Sequence, residues 1–322
     1  MKTGNFVPHP FIRGGHLQTI VSLRYRDDRI WQTTKTIVGV SDGDQIVLHR
    51  DEPNCTEEIR GNVLLIHGLT GCHAAPYMMR HARDLLARGY RTFRMDLRGF
   101  GASRKLVGNI SHAGRSDDVL AAVKQIAADT PDHESISAMG ISLGGAQLLL
   151  GMGQVAAGEF SLEAKHRLRQ VIAICPPIDL MQCAQHMQRL SLRPYNYYFI
   201  RSLLDRVPPR VRQREDYHRA IQGRRPRTLL EFDDRITSQL GGFKNASHYY
   251  EACSARPWLQ RIGVPTRIVT TADDPIIPRK MFEQVRGELP QCVELLEPQN
   301  GGHNGFHSRD GQNWVAGLIA DD

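Results

Sequence analysis

A serine hydroxyl becomes a useful nucleophile when a base takes its proton, and a histidine base needs a carboxylate to fix its tautomer and stabilise the imidazolium that forms. This chain offers each group in a distinctive setting. Ser142 lies in Gly140-Ile141-Ser142-Leu143-Gly144-Gly145, after a strand-like run ending near Met139 and before an apolar helical run from Ala146 to Leu150. A nucleophile in so tight a strand-to-helix turn has strained backbone, and bulky side chains two residues to either side would collide with neighbouring chain. Glycines at 140 and 144 remove that clash. The turn also sets the hydroxyl at a helix N-terminus, where unsatisfied N–H groups and the helix dipole favour developing negative charge. An ordinary glycine-rich turn between strand and helix is the competing reading.

Among the 14 histidines, His303 is preferred as the base. Its segment, Gly301-Gly302-His303-Asn304-Gly305-Phe306, lies just beyond the last predicted strand, and its glycines let the loop carry an imidazole over the sheet edge. His307 is the nearby competitor. For the acid, Asp273-Asp274-Pro275-Ile276-Ile277-Pro278 follows another predicted strand, at the carboxyl end where the active sites of such sheets lie. Asp274 is preferred to Asp273 because it directly precedes the Pro-Ile-Ile-Pro turn. Asp179 is a relocated alternative, competing with a role as a helix N-cap. Acyl transfer also needs two donors for the oxyanion. These are expected from the backbone N–H groups of Leu143 and of Leu69, the latter in His67-Gly68-Leu69-Thr70-Gly71. His67 itself is expected to be structural.

Strand-like and helix-like runs alternate along most of the chain, the signature of an α/β class protein with a mainly parallel sheet. Lys35 to Val40 and Gln45 to His49, joined across Ser41-Asp42-Gly43-Asp44, predict an opening hairpin. Further strands are predicted at Asn62 to Ile66, Arg91 to Met95, Ser135 to Met139, Gln170 to Ile174, Thr266 to Thr271 and Cys292 to Leu296. Helices are predicted at Pro76 to Arg88, Asp117 to Ala128, from near Leu143 and from near Gln312. From about Met181 to Trp258 the pattern is helical with no parallel strand. A structureless loop of that length is implausible in a compact domain, so residues 181–258 are expected to form a helical cap inserted into a core made of 1–180 and 259–322. Acyl chain length would depend on how Tyr195, Tyr197, Tyr198 and Phe199 in this segment line the entrance, which the sequence does not place; such rings more often belong to the core than to substrate contacts.

Composition sets the outer limits. The 41% hydrophobic and 23% charged residues fit an ordinary globular chain. The net charge of +7 is concentrated between Arg189 and Arg227, where eleven arginines face only Asp205, Glu215 and Asp216. Such an excess can attract anionic surfaces weakly. No nucleic-acid recognition motif accompanies it, so a solvated arginine-rich helical surface is expected instead. The N-terminal residues lack a continuous apolar stretch of signal-peptide length, and no run of about 18 apolar residues suggests a spanning helix. The six cysteines (Cys55, Cys72, Cys175, Cys183, Cys253 and Cys292) form no CxxC pair. They are expected to be reduced thiols in a cytoplasmic protein that uses neither metal nor cofactor.

The Ser142, Asp274, His303 and Leu69 segments together resemble the α/β-hydrolase superfamily, whose chain order of Ser, Asp, His they share. Gly14-Gly15-His16-Leu17-Gln18-Thr19, Phe232-Asp233-Asp234 and Tyr249-Tyr250 with Ser254 are similar to the YheT-like branch, related to abhydrolase-domain lipases acting on monoacylglycerols. The resemblance implies an α/β-hydrolase fold and cleavage of carboxylic esters with short to medium acyl chains, or of monoacylglycerols. Many relatives carry histidine where this chain has Phe100, a difference that bears on packing or substrate shape. The role of GGHLQT is left open between a structural arm across the cap and, through His16, a wall of the pocket. The same groups could also serve acyl transfer or thioester cleavage. A binding protein that kept the fold and lost turnover is disfavoured, because no member of the expected triad is missing.

Overall fold

The computed structural model describes residues 6–24, 32–53 and 58–320. Eight strands form one sheet: β1 (Thr33–Gly39), β2 (Gln45–Asp51), β3 (Asn62–Ile66), β4 (Arg91–Asp96), β5 (Ile136–Ile141), β6 (Leu168–Ile174), β7 (Thr266–Val269) and β8 (Val293–Leu296). Their spatial order is β1-β2-β4-β3-β5-β6-β7-β8. β2 runs antiparallel to both β1 and β4, and every remaining pair is parallel. This is the mostly parallel α/β sheet expected from the alternating pattern, with the opening hairpin in place. All five residues of β3 and all six of β5 are buried, as continuous apolar strands covered on both faces should be.

Parallel register explains why the chemistry gathers at one rim. Ile66 at the end of β3 is level with Gly140 of β5, Ile141 with Ile174 of β6, Ile174 with Val269 of β7, and Val269 with Leu296 of β8. The segments carrying His67, Ser142, Asp274 and His303 therefore all leave the sheet on the same side. Helices α2 (Pro76–Ala87), α3 (Ser116–Asp129) and α4 (Leu143–Ala156) follow β3, β4 and β5. α2 opens with Pro76 at its first position, where the missing N–H costs nothing.

One element was not predicted from the sequence: a short helix α1 (Gly15–Val21) in the glycine-broken N-terminal segment. Between β6 and β7 the chain runs through helices, beginning with α5 (Leu180–Met187) and α6 (Arg193–Arg206), and no strand occurs there. This stretch builds an apolar cluster around Ile200, Val211, Phe232 and Ile236, joined by Ile110 from the segment after β4. Several of its arginines are not simply solvated. Arg212 donates to the carbonyls of Leu204, Asp205 and Val207, and Arg214 to Gly108 and Asp216, whereas Arg189, Arg193, Arg210, Arg219 and Arg225 are exposed. No helix among the described residues is long and apolar enough to cross a membrane. The five described cysteines are free thiols; Cys55 lies outside the described residues.

Two buried charges of the core are held by several partners each. Arg98, fully buried, donates to Asp118, Asp42 and Asp44. The β1–β2 turn thus supplies acceptors to a central cation as well as reversing the chain. Asp96 accepts from His49, His73 and the backbone of Ala102, and these contacts hold its carboxyl well below the usual range despite burial.

Three other buried histidines remain neutral. Burial lowers the pKa of His67 to about 4 and those of His81 and His112 to about 3. An unfolded histidine binds its proton near pH 6.5, so below that value the unfolded chain takes up protons that the folded one refuses. Stability should be complete above pH 6.5 and fall as the pH drops, by about 1.4 kcal/mol per pH unit for each residue until its folded pKa is reached. Urea unfolding midpoints at pH 7, 6 and 5 should decrease in that order. A flat series would contradict the burial of these imidazoles in neutral form.

Candidate active site

The turn after β5 has the geometry its glycines suggested. Ser142 adopts φ 51° and ψ −117°, a conformation costly for any residue with a Cβ. It is held there by its N–H donating to Ile174 O at 2.7 Å and by its carbonyl receiving the N–H of Ala146 at 3.0 Å. A side chain at 140 would come within 2.5 Å of the Gly144 carbonyl, and one at 144 within 2.7 Å of the carbonyls of Ile66 and His67. The two glycines thus let α4 start directly against the end of β3.

The hydroxyl of Ser142 is 3.0 Å from Nε2 of His303, and Nδ1 of His303 is 2.9 Å from Oδ2 of Asp274. Since an ionised carboxylate only accepts, Nδ1 carries the proton and Nε2 is left as acceptor for the serine. The other oxygen of Asp274 accepts from the N–H groups of Ile276 and Ile277 at 2.8 and 2.9 Å. That is the local use of the Pro-Ile-Ile-Pro turn: it pins the carboxylate. The Asp274 side chain is fully shielded, while that of His303 keeps 11% of its surface open.

The alternatives considered from sequence have other duties. Asp273 accepts the N–H of Gly302 at 2.9 Å and so braces the histidine loop. Asp179 caps α5 through the N–H of Gln182 and pairs with Arg256. His307 lies against Arg80. His67 is structural: Nδ1–H donates to Gly68 O and Nε2 accepts from Leu97 N–H. Among the described residues, no group accepts the backbone N–H of Leu69 or of Leu143, and both residues line the space beside Ser142.

The GGHLQT segment turns out to support the histidine loop. Gln18, fully buried, accepts the N–H of His307 at 2.8 Å and donates to His307 O and Ile12 O. Thr19 Oγ1 accepts the N–H of His303 at 2.8 Å. Side chains at Gly15 and Gly302 would overlap the carbonyls of Asp273 and Gly15, and one at Gly305 would come within 2.6 Å of Gln18 O. The glycines around His303 therefore make room for α1. The segment also reaches the pocket, because His16 bonds Tyr195 Oη at 2.9 Å and lines the same cleft as Ser142 and His303. Sequence spacing gave no sign of the Gln18 contacts, since Gln18 and His307 lie 289 residues apart.

Two chambers meet at Ser142. One, of about 140 Å³, runs under the helices between β6 and β7 past Leu180, Met187, Phe232 and Ile236. The other, of about 740 Å³, is bounded by α1, the 67–77 segment and α6. Tyr195, Tyr198 and Phe199 line this wider cleft, Tyr195 and Phe199 also packing against the core, and Tyr197 is 64% exposed. Among the described residues, two clusters contain metal-ligand residue types, His49/His73/Asp96 and Cys175/Asp274/His303. In the first, both imidazoles bond Asp96 and stack face to face at 3.5 Å; the second shares the Ser142–His303–Asp274 line.

The family model for the alpha/beta hydrolase fold matches residues 61–310. The chain belongs to the α/β-hydrolase family. Among relatives of this α/β-hydrolase, Escherichia coli YheT is 26% identical over 310 residues, covering 95% of this chain and 88% of YheT. Human phospholipase ABHD3 is 24% identical over 285 residues, covering 85% of this chain and 67% of its own. A crystal structure of the Pyrococcus furiosus esterase Pf2001 superposes with a TM-score of 0.59 at 15% identity, covering all of this chain and 96% of that one, and shares the fold.

The Gln18 clamp is open to test. Gln18→Ala leaves the N–H of His307 without its acceptor, while the His307 carbonyl keeps the N–H of His9, which should cost about 1 to 3 kcal/mol. Thermal denaturation should show the loss, and limited proteolysis should cut the 301–308 loop sooner than in the parent. Unchanged stability and an unchanged cleavage pattern would show that the loop stands without α1.

Proposed function

We propose that this α/β-hydrolase cleaves carboxylic esters by way of an acyl-enzyme formed on Ser142. The observation that carries the reading is the continuous line from Ser142 Oγ through His303 to Asp274, with 3.0 and 2.9 Å links, opening onto two chambers at the serine. Residues 181–258 act in it as a helical cap over a core of 1–180 and 259–322. The relationship to a phospholipase, human ABHD3, supports ester chemistry.

In the proposed reaction, Oγ attacks the ester carbonyl while His303 Nε2 takes its proton, and Asp274 stabilises the imidazolium. The carbonyl oxygen gains negative charge and receives the N–H groups of Leu69 and Leu143, two donors already free of other acceptors. His303 passes its proton to the departing alcohol as the carbon–oxygen bond breaks. A water, deprotonated by the same imidazole, then attacks the acyl carbon, and Ser142 recovers its proton as the acid leaves. The narrow apolar chamber suits an acyl chain of short to medium length. The wider cleft suits the alcohol, including a glycerol in a monoacylglycerol.

Ser142→Ala and Asp274→Asn should each lower kcat for p-nitrophenyl butyrate by at least about 10⁴-fold, and a fluorophosphonate should label the parent but not Ser142→Ala. Equal labelling of the two proteins would sink the assignment. A panel of esters from acetyl to palmitoyl should peak below the long chains.

A further inference from the structure

One side chain at the junction of the chambers has no task in the reaction above. Arg206 ends α6 and lines both chambers, together with Ser142, Leu69, Phe199 and Ile276. Its guanidinium lies 6.0 Å from the centre of the Phe100 ring. Nη1 is shielded from solvent and meets no hydrogen-bond acceptor. Among the described residues no carboxylate pairs with it, whereas Arg98, the other guanidinium lining the narrow chamber, is held by three aspartates.

The surrounding acceptors are already engaged. Arg104 and Arg212 take the carbonyls of Asp205 and Val207 on either side of Arg206. Asp233, the carboxylate in the same chamber, has one oxygen bonded by Thr237 and the other by Tyr250. A cation held beside apolar walls without a partner is unfavourable. That cost is relieved when a ligand brings the opposite charge. A planar guanidinium also offers two parallel N–H groups, the geometry that carboxylates and phosphates accept.

We infer that Arg206 is the binding subsite for a carboxylate or phosphate carried by the ester substrate, at the junction of the two chambers beside Ser142. The inference rests on the ester-hydrolase reading and adds a substrate class to it: esters with an anionic group near the bond to be cleaved. Phe100 has a part in this. Its ring backs the guanidinium through a cation–π contact.

The test compares two matched substrate pairs. Mono-p-nitrophenyl glutarate against p-nitrophenyl butyrate puts the charge on the acyl side; 1-butyrylglycerol 3-phosphate against 1-butyrylglycerol puts it on the alcohol side. For the parent protein, kcat/KM should favour the charged member of at least one pair by about 10-fold or more. Arg206→Gln should reduce that ratio by about 10- to 100-fold, mainly through KM, and Arg206→Lys should restore part of it. Because each ratio is taken within one preparation, partial loss of folded protein divides out, and the pair that responds identifies the side on which the anion sits. Intact turnover with the same ratios in the parent and Arg206→Gln would overturn the inference alone. Absence of any Ser142-dependent turnover would overturn the ester reading and this one with it.

Discussion

The architecture of the rim depends on how closely α4 begins against the end of β3. Ser142 can hold its strained backbone because Gly144 lets the helix meet the carbonyls of Ile66 and His67, and because Gly140 leaves room for that same helix start. Widening this contact by one methyl group would move the serine, the first turn of α4 and the Leu69 segment together. The buried strands β3, β5 and β6 supply the rigid frame against which the strain is maintained. In energetic terms, a few kcal/mol of unfavourable backbone geometry is carried by a core too closely packed to relax.

The imidazole side of the site follows a different logic. His303 sits in a loop with positive φ at Gly301, Gly302, Asn304 and Phe306, which no strand or helix constrains. Its order comes from neighbours elsewhere in the chain, among them Asp273 on Gly302, Thr19 on the His303 N–H, and Gln18 on both backbone groups of His307. Arg80 adds another, donating to Gly305 O at 2.7 Å. Adjacent aspartates thus divide the work, Asp274 meeting the ring and Asp273 the backbone.

What could be read from the sequence was what is local. The α/β class, the strands and the helices flanking them were visible because apolar periodicity and turn residues are properties of short windows. Ser142 stood out through glycines two positions to either side, and Asp274 through the prolines that follow it. The support given by GGHLQT was invisible, because Gln18 and His307 become neighbours only in the folded chain. Arg206 was one of eleven arginines in its segment, and it is set apart by lining both chambers with a shielded Nη1 that meets no acceptor, which no residue string records. The placing of Tyr195 and Tyr198 was not legible for a related reason: the helical pattern of α6 does not say which of its faces borders an opening.

The bridge from α1 to the 301–308 loop has a bearing on the order of events during folding. Contacts between residues nearly three hundred positions apart close a very large loop of chain, and such contacts are slow to form because their entropic cost must be met before they stabilise anything. The serine turn, built from segments close in sequence, can be native early. Its base acquires a fixed position only when two remote stretches of polymer dock, so a refolding chain should pass through a stage that has its sheet but not yet its reactivity.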